Sequence, residues 1–393
     1  MMPEPVYHRP DYAAAMADQL LRPNALQLQV RSGVFLSGIR RTGKTTFLRQ
    51  DLIPALEARG ALVIYVDLWA DRSKSPAALV HDAVRSTLNE LTAPGASLLG
   101  RFKGLNIGAA GISFGFQLDA VGQPGGITLA DVLTQLVDQV RRDVVLIIDE
   151  VQQALGTEDG TNLLFALKAA RDAVNTRPAT PGHLLFLGTG SHKSLVADMA
   201  TRRSQPFSGA MNAPYEPLGS AFVDWKAAQL RQIEGVRMPS HEVMNQGFIV
   251  VGQRPEELQK ALVLLQSRPE DPDVAFPILC SALASAAAAV EIDAIDSLGA
   301  LAVAIFDRIA QGSEAGESGL FSADAIGSYS QQTGTKVDPP QVQNMVDRLI
   351  GANIVHRQSH GVYAAADPIT RQAWLQRKAM QWSAFRSIDP SGG

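Results

Sequence analysis

An eight-residue segment, Gly38 to Thr45, has the glycine, lysine and threonine spacing of a phosphate-binding loop. A short apolar segment typical of a buried strand (33–37) precedes it, and a segment with a helical apolar stripe (46–53) follows it. In that setting several backbone N–H groups converge at a helix N-terminus, where the helix dipole also favours an anion. The segment therefore predicts a site for the phosphates of a nucleotide.

The side chains of this loop predict how a nucleotide is held. Gly38 and Gly43 allow the chain to turn where a Cβ would clash. Lys44 can reach the β- and γ-phosphates, and the Thr45 hydroxyl can coordinate Mg²⁺. The residues that we expect to contact the nucleotide are Gly38, Ile39, Arg40, Arg41, Thr42, Gly43, Lys44, Thr45 and Thr46. The alternative, a chance turn containing glycine and lysine, is disfavoured by the length and setting of the match.

A run of five aliphatic residues, 144–148, ends in Asp149 and Glu150. Such continuous runs are typical of strands buried on both faces of a parallel sheet. Carboxylates at the strand end cannot be buried unpaired without a large cost, so they should meet a cation or water. We expect Asp149 to bind Mg²⁺ and Glu150 to be the base that polarises an attacking water. Together with the loop, this run predicts binding of a nucleoside triphosphate.

Length and composition limit the class of protein. The 393 residues are 46% hydrophobic and carry a net charge of −4, which excludes a protein that coats nucleic acid by bulk charge but allows a local basic face. The single cysteine, Cys280, excludes an internal disulfide and fits a reducing cytoplasm. The amino-terminal residues lack the pattern of a secretory signal, and the longest apolar run (281–292) is too short to cross a bilayer. We therefore expect a cytoplasmic protein that does not enter the membrane.

Segments typical of strands and helices alternate through residues 30–218, which predicts an α/β fold with a parallel sheet flanked by helices. The predicted strands are 33–37, 61–67, 144–149, 183–188 and 214–218. The predicted helices between them are 45–59, 75–91, 128–141 and 161–175. Residues 95–126 contain nine glycines, which predicts either a small hairpin inserted at the rim of this domain or a flexible linker.

The pattern changes after residue 218, where strand signals stop. Helical patterns follow at 220–230, 240–251, 255–265 and 275–290. Three more helices, at 297–311, 322–333 and 340–352, precede two short strands within 354–366 that turn near 359–361, and this is the pattern of a winged helix. The chain is thus predicted to contain a phosphate-loop domain (1–218), a helical lid (219–295) and a winged helix (296–393).

With these segments in view, the chain resembles the archaeal and prokaryotic AAA+ ATPases of the branch related to STAND signalling ATPases, whose loops often carry paired arginines such as Arg40 and Arg41. The resemblance covers most of the chain, from the loop through the acidic strand end and helical lid to the winged helix. It implies a P-loop sheet of strand order 5-1-4-3-2, ATP with Mg²⁺ as ligands, and a conformational switch.

The same resemblance assigns polar residues beyond the loop. Thr189 and Ser191 would sense the γ-phosphate or orient water, the alternative being a turn with capping hydroxyls. Arg202 and Arg203 would complete a neighbour's site in a homo-oligomer, and a solvated surface pair is the alternative. In the lid, Arg254 and Pro255 would contact phosphate or adenine, unless they only start an ordinary helix.

The winged helix indicates which kind of partner, DNA or protein, the predicted ATPase would act on. Six basic residues against two acidic ones between 341 and 386 support a phosphate-facing surface; the basic residues are Arg348, Arg357, Arg371, Arg377, Lys378 and Arg386. Positions available to bases or to the wing are Gln341, Gln343, Asn344, Arg348, His356, Arg357 and His360. The leading hypothesis is an ATPase acting on double-stranded DNA in replication, mobile elements or defence. A signalling ATPase whose winged helix binds a protein effector is the alternative, and a small-molecule kinase is disfavoured by the lid and the acidic pair.

Overall fold

The computed structural model describes residues 5–93, 114–117, 121–122, 125–313 and 315–388, with side chains up to 380. The chain forms two compact units, one of residues 1–38 and 44–216 and the other of residues 39–43 and 217–393. Most of the glycine-rich segment, including the predicted hairpin within 95–126, lies outside the described residues. The finer division of the second unit into 219–295 and 296–393 stays a prediction.

The first unit is built on a five-stranded parallel sheet. Its strands are β1 (Val34–Ser37), β2 (Leu62–Asp67), β3 (Val144–Asp149), β4 (Leu184–Gly190) and β5 (Met211–Pro214). Their order across the sheet is β2-β3-β4-β1-β5, with all four pairings parallel. Read from the other edge this is 5-1-4-3-2, so the predicted order is confirmed.

One predicted strand is misplaced. The last strand runs over Met211–Pro214 and not over 214–218. It lies at the sheet edge and pairs with β1, so only Met211 and Ala213 turn toward the core while Asn212 and Pro214 are exposed. Pro214 has no backbone N–H to extend the ladder. A short edge strand of this composition has little apolar signal, which explains the error.

The two faces of β3 divide the core of this unit. All six of its residues are buried. Val144, Leu146 and Ile148 belong to one apolar cluster, while Val145 and Ile147 belong to the other. This second cluster also contains the apolar residues of the helix that follows the phosphate loop. Because side chains alternate along a strand, Asp149 projects from the same face of the sheet as Val145 and Ile147, the face that this helix covers.

Helices cover both faces of the sheet. They are α1 (Pro10–Leu21), α2 (Lys44–Phe47), α3 (Ile53–Ala58), α4 (Pro76–Thr92), α5 (Leu129–Val140), α6 (Glu158–Asn175) and α7 (Lys193–Thr201). A π-helical segment, Leu48–Leu52, joins α2 to α3. Ser75 caps α4 as its position before Pro76 predicts, because its hydroxyl accepts a hydrogen bond from the Ala78 N–H at 3.2 Å. The first helix, α1, was not among the predicted elements.

The second unit begins with four helices, α8 (Ser220–Leu230), α9 (His241–Val250), α10 (Pro255–Leu265) and α11 (Pro272–Ser297). The last of these is much longer than the predicted 275–290. Among the described residues it is the one helix long and apolar enough to cross a membrane by length and composition, with 33% of its most apolar window buried inside the protein. The apolar helix is therefore longer than the apolar run at 281–292 predicts.

A winged helix completes the second unit. Its helices are α12 (Ala300–Gln311), α13 (Ala323–Thr333) and α14 (Pro339–Gly351), and its strands are β6 (Glu317–Ser318), β7 (Val355–Ser359) and β8 (Val362–Ala365). The strands form an antiparallel sheet of order β6-β8-β7, so the predicted wing gains a third strand. The predicted helix at 297–311 is interrupted at Gly299, where φ is +99°, and a further helix, α15 (Pro368–Ile388), was not predicted.

Candidate nucleotide-binding site

The phosphate loop lies between the end of β1 at Ser37 and the start of α2 at Lys44. A Cβ on Gly38 would stand 2.9 Å from the Cβ of Tyr215, so a side chain at this position would displace the residue that directly follows β5. Gly43 has φ +92°, a conformation that side chains disfavour. Both glycines are therefore required by the turn: Gly38 because a Cβ would clash, as the sequence predicts, and Gly43 because of its positive φ.

Lys44 carries a buried positive charge at the end of this loop. Its side chain is 6% exposed, and its ammonium donates a hydrogen bond to the Gly38 carbonyl at 2.8 Å. An ammonium at the N-terminus of a helix, where backbone N–H groups also point outward, favours an anion at this point. The geometry therefore fits a bound phosphate.

Asp149 is the centre of a network of hydroxyl groups. It is 1% exposed. Its Oδ2 accepts hydrogen bonds from the Thr45 hydroxyl at 2.7 Å and the Tyr65 hydroxyl at 3.1 Å. Its Oδ1 accepts from the Thr189 hydroxyl and from the Glu150 backbone N–H. These donors satisfy a carboxylate that would otherwise be costly to bury.

Glu150 is held beside this network. Its backbone has φ +54° and ψ +41°, a left-handed conformation that turns the chain away from the strand at once. The carboxylate accepts hydrogen bonds from the Ser191 hydroxyl at 2.9 Å and from the Gln152 amide. Gln152 is buried at 5% exposure and also lies 3.4 Å from the Ser191 oxygen.

Two residues of the site, Tyr65 and Gln152, were missed by the sequence analysis. Tyr65 occupies an ordinary strand position, and Gln152 follows the acidic pair with no motif around it. Burial and the Asp149 carboxylate raise the pKa of Tyr65, so its hydroxyl keeps its proton. Burial, with Asp149 as a further contributor, also raises the pKa of Asp67, the partner of Asp149 in strand register.

The predicted lid residues are engaged within the second unit. Arg254 is 8% exposed, and its guanidinium forms an ion pair with Asp367, directly before α15. Pro255 is the first residue of α10. In the same unit, the Arg41 guanidinium lies 3.6 Å from the Glu257 carboxylate. The assignment of Arg254 and Pro255 to nucleotide binding therefore stays a prediction.

The other predicted contacts are at the surface. Arg40, Arg41 and Thr46 are exposed. Arg202 and Arg203 follow α7 and are also exposed, and the Arg202 guanidinium pairs with Asp198 at 3.0 Å. Their assignment to a neighbouring subunit stays a prediction.

The winged helix uses some of its predicted polar face internally. Gln341 forms a capping box with Asp338, and Gln343 donates a hydrogen bond to Asp347 at 2.9 Å. Asn344 and Arg348 are exposed on α14. The positions that remain most open on this helix are therefore Asn344 and Arg348.

Some of the residues predicted to face DNA from the wing and from the basic surface are buried or paired within the protein. His356 lies on β7 but is only 7% exposed, and its Nε2 is 2.8 Å from the Gln358 side-chain oxygen, so little of it is available on the wing. Arg357 and His360 are exposed there. Three of the six counted basic residues are tied to the protein: Arg371 to the Gly312 carbonyl, Arg377 to Asp296 and Lys378 to Asp307.

No family model and no curated protein sequence matches this chain. Solved structures do match it. The ADP form of the ORC2 protein of Aeropyrum pernix matches with a TM-score of 0.54 over 98% of this chain and 96% of that chain, at 14% identity. The ADPNP–ADP complexes of the same protein match with a TM-score of 0.51 over 96% and 97%, at 15% identity. The fold is that of an AAA+ ATPase with a winged helix.

At the level of the fold, the predicted resemblance to archaeal AAA+ ATPases is thus confirmed. Because β1, β3 and β4 are parallel, the start of the loop, the acidic pair and Thr189 all lie at the carboxyl ends of strands, along one edge of the sheet. The donor set there fits a triphosphate with a hard cation: Lys44 offers an ammonium, while Thr45 and Asp149 offer the oxygen ligands that Mg²⁺ prefers.

Proposed function

We propose that this chain binds ATP with Mg²⁺, hydrolyses it, and couples the change of nucleotide state to an action on double-stranded DNA in the cytoplasm. The loop 38–46 would hold the phosphates, and Thr45 and Asp149 would hold the metal. The observation that carries the proposal is the hydrogen bond between the Thr45 hydroxyl and the Asp149 carboxylate, which joins the phosphate loop to the acidic strand end.

Hydrolysis would use the residues around Glu150. When bound, Mg²⁺ neutralises charge on the phosphate oxygens and polarises them. The Glu150 carboxylate, oriented by Ser191 and Gln152, is suited to accept a proton from an attacking water. Thr189 would report the nucleotide state to Asp149 through its hydroxyl. Structures of the ORC2 protein, which has the same fold, contain ADP and ADPNP, and this supports a nucleotide as the ligand.

Arg202 and Arg203 would act on a second copy of the chain. Both are exposed, as a residue that completes a neighbour's site must be. In a mixture of the Lys44→Ala and Arg203→Ala variants, a hybrid interface would regain turnover that neither variant has alone. Absence of any complementation for both arginines would remove this part of the proposal.

DNA contact would come from α14 and the wing. Asn344 and Arg348 on the helix and Arg357 on the wing are exposed, and arginine suits both phosphates and guanine edges. Because Arg371, Arg377 and Lys378 are tied to the protein, we expect few phosphate contacts and a modest salt dependence.

The test is duplex affinity by fluorescence anisotropy at several salt concentrations, together with ATP turnover with and without duplex. Arg348→Ala should weaken binding and, if Arg348 meets a phosphate, reduce the salt slope by about one. Arg268→Ala removes an exposed arginine outside the winged helix and should change neither. If the wild type fails to bind duplex at low salt and turnover is unchanged, the DNA part is wrong and the protein-effector hypothesis takes its place.

A further inference from the structure

Tyr65 lies on the edge strand β2, outside every motif of the proposed site. The strand register pairs Tyr65 with Ile147 and Asp67 with Asp149. Side chains two residues apart share a face, so Tyr65, Ile147 and Asp149 project on the same side of the sheet. That side is the one covered by the helix that follows the phosphate loop.

From this position Tyr65 reaches diagonally across the sheet to Asp149. Its hydroxyl donates to Asp149 Oδ2 at 3.1 Å, the oxygen that also accepts from Thr45 at 2.7 Å. The tyrosine ring is in turn held by Arg49, whose guanidinium carbon lies 4.8 Å from the ring centroid. Arg49 and Thr45 are four residues apart on the same helical segment, so that segment contacts Asp149 directly through Thr45 and indirectly through Tyr65.

The two hydroxyls that donate to Asp149 Oδ2, those of Thr45 and Tyr65, are held in place by different parts of the structure. Thr45 belongs to the phosphate loop and would also turn an oxygen lone pair toward the metal, so its position depends on the ligand. Tyr65 belongs to the sheet, and its ring is packed against buried residues of the apolar cluster. Among the described residues, Tyr65 is therefore the one donor to Asp149 Oδ2 that does not belong to the phosphate loop.

We propose that Tyr65 is a positioning residue for Mg²⁺ in this ATPase: it holds the Asp149 carboxylate in the metal-binding orientation whether or not the loop is filled. This inference rests on the proposed function and names a residue through which the metal site is preorganised. Hydrogen-bond partners of metal ligands commonly change metal affinity or activity by about 10- to 100-fold when removed.

The test is Tyr65→Phe, which keeps the ring under the Arg49 guanidinium and removes the hydroxyl, with its hydrogen bonds to Asp149 and Arg49. Nucleotide binding in EDTA should be unchanged. The Mg²⁺ concentration for half-maximal ATP turnover should rise about tenfold, with the turnover number recovered at saturating Mg²⁺. Titration of Mn²⁺ into the nucleotide-loaded protein, followed by electron paramagnetic resonance, should show the same loss without dependence on turnover.

Tyr363→Phe is the matched control, because Tyr363 also carries an arginine, Arg357, over its ring but lies in the wing. It should leave the Mg²⁺ titration unchanged. Should Tyr65→Phe fail to fold, Arg49→Met removes the cation from the ring at an exposed position and should give a smaller shift in the same direction.

The outcomes are separable. Wild-type protein that neither binds nor hydrolyses ATP with Mg²⁺ would overturn the proposed function and this inference with it. Wild-type protein that does both, with a Tyr65→Phe titration that superimposes on it, would overturn the inference alone. A shift in the turnover number with no change in the Mg²⁺ requirement would also overturn it, because a purely structural defect would act in that way.

Discussion

The ion pair between Arg254 and Asp367 allows a quantitative test of the second unit. It joins the residue before α10 to the residue before α15, and the side chains are only 9% and 13% exposed. Asp367 also accepts a hydrogen bond from the Ile369 N–H at 3.0 Å. We consider the substitution Asp367→Asn, which removes the charge and keeps the size.

Breaking a buried pair from one side costs about 3–5 kcal/mol, because the other charge is left uncompensated. Two features reduce this value here. Asparagine can still accept from Arg254 and from the Ile369 N–H, and the Glu291 carboxylate interacts electrostatically with Arg254. We therefore expect a loss of about 2 kcal/mol, which in a unit of this size lowers the melting temperature by about 4–8 °C.

The assay is thermal unfolding by calorimetry at neutral pH, with Asp296→Asn as the control. Arg377 donates to both oxygens of Asp296, at 2.7 and 3.0 Å, but those side chains are 32% and 42% exposed. A solvated pair contributes about 0–1 kcal/mol, so this variant should melt within about 4 °C of the wild type. Equal shifts for the two variants would refute the argument that burial makes the Arg254 pair the stronger one.

Three further outcomes are expected. Lys44→Ala should weaken ATP binding at least about 100-fold in calorimetric titration, because charge-assisted hydrogen bonds to two phosphates are lost, and unimpaired binding would refute the assigned loop. Glu150→Gln should keep the ATP dissociation constant and slow single-turnover hydrolysis by about 10²- to 10⁴-fold, and unchanged hydrolysis would remove Glu150 as the base. Burial raises the pKa of Glu291, and the Thr370 hydroxyl, Arg254 and Arg40 oppose that effect only in part. The folded state therefore holds this proton more tightly than the unfolded chain does. As a result, the free energy of unfolding falls as the pH rises past the ordinary carboxyl range. Glu291→Gln should therefore match the wild type in urea unfolding near about pH 4 and exceed it near about pH 7, and a constant difference between the two would contradict this account.

Elements could be predicted from the sequence where the local structure allows only one type of residue. The aliphatic run of β3 must be buried on both faces, and Gly38 and Gly43 must turn, so both could be predicted from the residues alone. The strand order came only from the resemblance, because periodicity does not specify which strands are neighbours. Edge elements such as β5 were misplaced because partial burial weakens their apolar pattern.

The parts of the site that sequence reasoning missed depend on tertiary neighbours. Nothing in the local sequence distinguishes Tyr65 from other strand residues, and its role appears only when the register sets it beside Asp149. Likewise, His356 could be found buried only once β7 had a register, and the engagement of Arg254 depends on Asp367, more than a hundred residues away.

The glycines of β4 also shape the site through the side chains they lack. A Cβ on Gly190 would stand 2.1 Å from the Gln152 amide oxygen and 2.7 Å from Val196, so only the missing side chain lets Gln152 cross the strand to Glu150 and Ser191. One added methyl group at position 190 would thus disturb the support of Glu150, and it would do so beside the phosphate loop, because the Gly190 carbonyl accepts a hydrogen bond from the Gly38 N–H at 3.1 Å. The absence of a side chain at this one position therefore serves both the hydrogen bonds of Glu150 and the start of the loop.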